Sequence, residues 1–132
     1  MTIYLGVDDI LYIHDRLITS TGGMPGERDK SILFQATTAI RIEQNGWGRF
    51  IDFFSKAAKL FHAIAAEKPF NDGNKRTALI TATTLLKRNG FDLVSSPEEI
   101  VKVCQTVEAG KASPEVIAAW MRERCRAPEA AL

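Results

Sequence analysis

Phe50, Phe53, Phe54, Ala57, Leu60, Phe61 and Ile64 recur at three- and four-residue spacing. Only a period of 3.6 residues brings these positions onto one face, so the segment is committed to an amphipathic helix over about 50–67. Such a face must be covered by other elements, and the same period appears on both sides of it. Ile10, Leu11, Ile13, His14, Leu17 and Ile18 predict a helix over 7–20, with Asp8 and Asp9 at its positive end. Gly22-Gly-Met-Pro-Gly26 breaks it. Ile32, Leu33, Ala36 and Ile40 predict a second helix over 29–40. Ala78, Ala82, Leu85 and Leu86 give the core face of another, from near Gly73 to the stop signal Asn89-Gly90.

Two further helices announce themselves by their starts. Ser96-Pro-Glu-Glu99 and Ser113-Pro-Glu115 each place a serine N-cap before a proline at the first helical position. Only Asn45-Gly-Trp-Gly48, between Ile42 and Phe50, reads as a turn joining extended residues. The expected fold is therefore all-α, a bundle of about six helices with a short β-hairpin flap. It fills one domain over 1–132, with 126–132 as a frayed tail.

Charge narrows the function classes. The formal net charge of the 132 residues is +1, so no global field steers the chain to nucleic acid or to an anionic membrane. No apolar run is long enough to span a bilayer. Direct nucleic-acid binding and membrane insertion are not expected. Cys104 and Cys125 lie in helix-like stretches, outside any CxxC or metal-ligand spacing. They read as buried free thiols, which fits a reducing compartment, and the N-terminal residues do not resemble a secretory signal. A cytoplasmic protein is expected.

The chemistry is concentrated in Lys68-Pro-Phe-Asn-Asp-Gly-Asn-Lys-Arg-Thr77. Pro69 ends the preceding helix, because the residue before a proline avoids the α conformation. Asp72-Gly73-Asn74 turns sharply into the next helix. The first amides of that helix have no intrahelical acceptors, and the helix dipole favours an anion beside them. Lys75 and Arg76 in the same turn are poor choices for the dipole alone. A phosphate chain would reconcile them, with arginine as a bidentate fork and lysine as a point charge. Asp72 adds the hard carboxylate that nucleotide-bound Mg2+ requires. The plainer alternative is a capped helix start with two solvated cations. GxxxxGK(S/T) is absent, so this is not a P-loop.

This segment resembles the Fic signature, His-Pro-Phe-x-Asp/Glu-Gly-Asn followed by Gly-Arg or Lys-Arg. The match falls on Pro69, Phe70, Asp72, Gly73, Asn74 and Arg76. His14 before Gly22-Gly-Met-Pro-Gly-Glu-Arg-Asp29, the Lys56-Ala-Ala-Lys-Leu60 helix and the Leu86-Lys-Arg-Asn-Gly90 helix end extend the similarity over about 5–125. The chain is identified as a member of the Fic/Doc family, in its death-on-curing (Doc) branch of toxins from toxin–antitoxin pairs. The resemblance implies Asp72 as metal ligand and Gly73 with Asn74 as an anion hole. It puts Lys75 and Arg76 on the phosphates and makes Phe70 a core anchor. A flap over 42–49 would dock the target. It implies ATP with Mg2+, phosphoryl transfer to a protein hydroxyl of elongation factor Tu, and control by a cognate antitoxin in trans.

The chain departs from the family at three places. Lys68 stands at the catalytic histidine position. A lysine of ordinary pKa, about 10.4, is protonated at neutral pH and takes no proton from a hydroxyl. Losing a general base costs about 10²–10⁴ in rate. His62 lies almost two turns upstream and is read as structural or partly exposed, and His14 as a helix residue with a local hydrogen bond. Leu79 stands where AMP-transferring members carry a second arginine, which Doc-like proteins also lack. No Ser/Thr-x-x-x-Glu-Gly/Asn inhibitory motif is present. The expected activity is a Doc-type kinase, with Lys68, Asp72 and Arg76 at the catalytic centre. The alternatives are a nucleotide-binding protein without turnover and an AMP transferase.

Overall fold

A computed structural model describes residues 2–41 and 52–126. The helices are α1 (Val7–Thr21), α2 (Ser31–Ile40), α3 (Phe53–Glu67), α4 (Asn74–Arg88), α5 (Pro97–Glu108) and α6 (Pro114–Arg124). α3 is the central element. Its buried positions include Ala57, Leu60, Phe61 and Ile64, and it packs most extensively against α4 and α6, then α2. This is the all-α bundle that the period of the apolar residues predicts. No helix among the described residues is long and apolar enough to cross a membrane.

Local chemistry sets most boundaries. The Asp52 carboxylate accepts the Ser55 N–H at 2.9 Å, so α3 starts at Phe53 rather than at Phe50. α2 starts two residues later than its apolar period suggests. The Asp29 carboxylate takes the Ser31 N–H at 3.0 Å, and the Asp29 N–H is itself donated to the Pro69 carbonyl at 2.9 Å. The Ser96 and Ser113 hydroxyls accept from Glu99 and Val116, each before a proline at the helix start, as expected. Asn89 ends α4 and holds both main-chain groups of Ile3, tying the N-terminal segment to the bundle.

Three expectations change. Cys125 leaves the helix: it caps α6 and opens strand β2 (Cys125–Arg126), which pairs antiparallel with β1 (Asp92–Leu93). Arg126, expected at the start of a frayed tail, is paired with Asp92 in this ladder. Two residues per strand cannot display an alternating pattern, so the sequence carries no sign of it. Both cysteines are free, but only Cys104 is fully buried. The expected flap over 42–49 and the tail from Ala127 lie outside the described residues.

A lysine sits in the core. Lys56 is 1% exposed on α3 and donates to the Tyr4 hydroxyl, with its ammonium 4.9 Å from the Tyr4 ring centre. A buried charge needs such partners to offset desolvation.

Candidate functional site

α3 delivers the chain to the loop at Lys68, which is left-handed at φ 53°, the one non-glycine with positive φ among the described residues. A side chain in this region costs about 1–2 kcal/mol, so the surroundings must hold it there. Arg28 does so. Its Nε donates to the Lys68 carbonyl at 2.7 Å and its Nη2 to the Glu67 carbonyl at 2.5 Å. These are carbonyls of a helix end, which lack intrahelical donors.

The whole 22–29 loop is laid along 67–72. The Arg28 N–H donates to the Pro69 carbonyl at 2.6 Å, Glu27 bridges Phe70, and the Asn71 N–H reaches the Gly26 carbonyl at 3.1 Å. The Met24 N–H donates to Asp72 Oδ2 at 3.1 Å. A Cβ at Gly23 would meet that oxygen at 2.8 Å, so only glycine fits this approach.

The floor of the loop is aromatic. Phe70 is 1% exposed and stacks on the His14 ring at 3.8 Å and 7°. His14 Nε2 lies 2.8 Å from the Asp72 carbonyl oxygen. A carbonyl only accepts, so Nε2 carries a hydrogen. The local hydrogen bond expected for His14 is therefore corrected: its partner is the loop, and its packing partner is the loop's anchor. His62 stays half-buried on α3, away from the cleft lining.

The turn into α4 needs Gly73 at φ 75°. Asn74 Oδ1 accepts the Phe70 N–H at 2.9 Å and its Nδ2 donates to the Phe70 carbonyl at 3.0 Å. The Asn74 side chain is thus spent on closing the loop, which leaves its main-chain N–H as its contribution to an anion site. No side chain caps α4 and no acidic residue lies in its first turn. Asp72 Oδ1 accepts the Gly73 N–H at 2.9 Å. Both carboxylate oxygens thus hold one amide each and retain lone pairs.

Lys68, Asp72, Gly73, Asn74, Lys75 and Arg76 all line one open cleft of about 450 Å3. Leu17, Ile18, Thr21 and Gly22 from the end of α1 form the facing wall, with Asn71 and Glu108 completing it. The Glu108 carboxylate is 3.5 Å from the Lys75 ammonium, both side chains being well exposed. Among the described residues Lys68 and Arg76 have no acidic partner within ion-pair distance. The cleft therefore presents two unneutralised cations and an uncapped helix N-terminus, which together favour a polyanion.

Among the described residues, no three histidine, cysteine or acidic side chains are placed to hold a metal. Asp72 would be one ligand, and ligand phosphates and water would supply the rest. Mg2+ is held in this way at nucleotide sites, so the residues fit it.

Arg28, Asn71 and Glu108 carry no sequence signal of their roles. Arg28 and Asn71 lie inside the two motif stretches, and Glu108 lies on another helix.

The Fic/DOC family model matches residues 4–86. A relative from Escherichia phage P1, "Protein kinase doc", is 32% identical over 99 residues, 72% of this chain and 75% of the relative. A second, "Toxin Doc" from Mycolicibacterium smegmatis (strain ATCC 700084 / mc(2)155), is 33% identical over 95 residues, 72% of this chain and 71% of the relative.

Proposed function

The chain belongs to the Fic/DOC family, and on that premise we propose that it is a Doc-type toxin that transfers a phosphoryl group from a nucleoside triphosphate to a protein hydroxyl. The observation that carries this reading is the uncapped start of α4 opening into a cleft that also holds Lys68, Lys75, Arg76 and Asp72. The names of the two relatives, one a kinase and one a toxin, support the class of reaction and the biological role.

Each residue has a distinct part. The amides of Asn74, Lys75 and Arg76 and the Arg76 guanidinium grip the phosphates. Lys75 exchanges Glu108 for phosphate oxygen. Asp72 would hold Mg2+, which when bound neutralises phosphate charge and fixes the orientation of the chain. The target oxygen attacks the terminal phosphorus, the bond to the bridging oxygen breaks, the nucleoside diphosphate leaves with that electron pair, and the hydroxyl proton passes to water. Lys68, at the motif's histidine position, contributes positive charge at the transferring group. Phosphoryl transfer depends mostly on positioning and charge stabilisation, so turnover survives a weak proton acceptor at reduced rate.

The target is a threonine of elongation factor Tu in the cytoplasm, and a cognate antitoxin acting in trans provides control. A second reading is nucleotide binding without turnover, favoured by Lys68 at the position of the proton acceptor. AMP transfer is disfavoured by Leu79, which offers no second arginine.

The test is incubation of the full chain, Mg2+ and elongation factor Tu with ATP labelled at either the γ- or the α-phosphate. Label from γ supports the kinase, and Lys68→His raises its rate. Label from α alone replaces it by AMP transfer. Binding without either label leaves only the second reading.

A further inference from the structure

Thr21, the last residue of α1, is exposed and carries the one hydroxyl side chain among the described residues that line the phosphate cleft. Its neighbours on both sides in the chain touch the motif turn. One turn earlier, Leu17 and Ile18 stand so close to Gly73 that a Cβ there would meet them at 3.5 and 3.3 Å. Two residues later, a Cβ on Gly23 would meet Asp72 Oδ2 at 2.8 Å, and the Met24 N–H donates to that oxygen at 3.1 Å. Residues three and four apart share a helix face, so Thr21 continues the face that Leu17 and Ile18 press on the turn.

The Thr21 Oγ1 donates to the Leu17 carbonyl at 2.8 Å, which uses its proton and leaves the oxygen lone pairs for attack. A phosphate on this oxygen is poorly placed for α1 itself. It stands at the negative end of the helix dipole, and the last turn of α1 has no basic residue. The cleft supplies what the helix lacks. Lys68 and Arg76 line it without an acidic partner within ion-pair distance among the described residues, and the start of α4 has no side-chain cap. A phosphothreonine here gains charge-assisted hydrogen bonds from the same groups that would hold the phosphates of a nucleotide.

We propose that Thr21 is a self-phosphorylation site, and that its phosphate then takes the place of nucleotide phosphates on the α4 N-terminus and closes the cleft. This rests on the reading that the chain transfers a phosphoryl group from ATP. It adds a limit to that activity: each copy switches itself off. In the step, Thr21 Oγ1 attacks the terminal phosphorus of ATP and the bond from that phosphorus to the bridging oxygen breaks. ADP leaves with the electron pair, and the hydroxyl proton passes to water.

Intact-mass and peptide spectra of the full chain, incubated with ATP and Mg2+ with and without elongation factor Tu, test both levels separately. The expected result is a gain of one phosphoryl group, on Thr21 and not on Thr19 or Ser20, with a rate constant unchanged on dilution. Thr21→Val abolishes the gain and Thr21→Ser keeps it. The phosphorylated chain, freed of nucleotide, binds ATP at least about tenfold more weakly than the unmodified chain. If elongation factor Tu gains phosphate and the chain does not, or the phosphate falls on another residue, the proposal is overturned and the transfer reading stands. If neither protein gains phosphate, both fall. A rate constant that rises with chain concentration means that one copy modifies another, which overturns self-phosphorylation within a copy. Unaltered ATP affinity of the phosphorylated chain would remove the closing of the cleft.

Discussion

The two ends of this molecule are built by different rules. At the α5–α6 end, each helix starts with its own serine cap and proline, and the stabilising contacts are local or conventional. Arg124 grips both oxygens of Glu99 at 2.7 and 2.8 Å. At the motif end, Asn74 closes the loop on Phe70 locally, but the remaining support comes from far away. A left-handed lysine is held by Arg28, a carbonyl by His14, and a carboxylate by the Met24 amide, all from distant parts of the chain. This second end accepts a strained backbone and unneutralised cations, and long-range hydrogen bonds keep it in place. Strained backbone and unneutralised cations of this kind are the features that the proposed ligand site accounts for.

The largest test of that contrast is Asn74→Ala. It leaves the Phe70 N–H and carbonyl without partners, costing about 1–3 kcal/mol in a urea titration. It also releases the start of α4, so calorimetry should show ATP affinity falling by at least about tenfold, or about 1.4 kcal/mol. A stability loss with unchanged ATP binding would mean that the loop shape is irrelevant to the ligand.

A sharper test separates strain from function. Lys68→Gly removes the side chain that resists positive φ and should raise stability by up to about 1 kcal/mol. Nucleotide affinity and transfer should fall at the same time. If stability and function move together, Lys68 is structural and the contrast between the two ends weakens.

The smallest effect belongs to the conventional end. The Arg124 hydrogen bonds, helped by Ser95, lower the Glu99 pKa from an ordinary 4.5 to about 2. The folded pKa lies below the unfolded one, so this pair stabilises the fold above the unfolded value and loses its contribution as pH falls through the folded one. The stability gap between the wild type and Glu99→Gln should be constant above about pH 5 and close towards pH 2. ATP binding at neutral pH should not differ between them.

Much of the fold is legible in the residues themselves. The Phe53 to Ile64 stripe commits the central helix, and Ser96, Pro97, Ser113 and Pro114 set helix starts through groups only a few residues apart. The site is legible as composition. Asp72, Gly73, Asn74, Lys75 and Arg76 stand together in the chain, so a loop leading into a helix start with two cations follows from them directly, while the lack of a side-chain cap was decided by the fold. The two-residue ladder of Asp92–Leu93 with Cys125–Arg126 is too short to leave a period.

The helices, their amphipathic faces and the cationic turn are thus written in the residues, because propensity, capping and periodicity act over a few positions. How that turn is held depends on packing between helices. His14 beneath Phe70, Arg28 on the end of α3 and Glu108 beside Lys75 come from elements far apart in the chain. Their partners are set by which helices pack together, and a hydrogen bond to a distant carbonyl leaves no mark on local residue spacing.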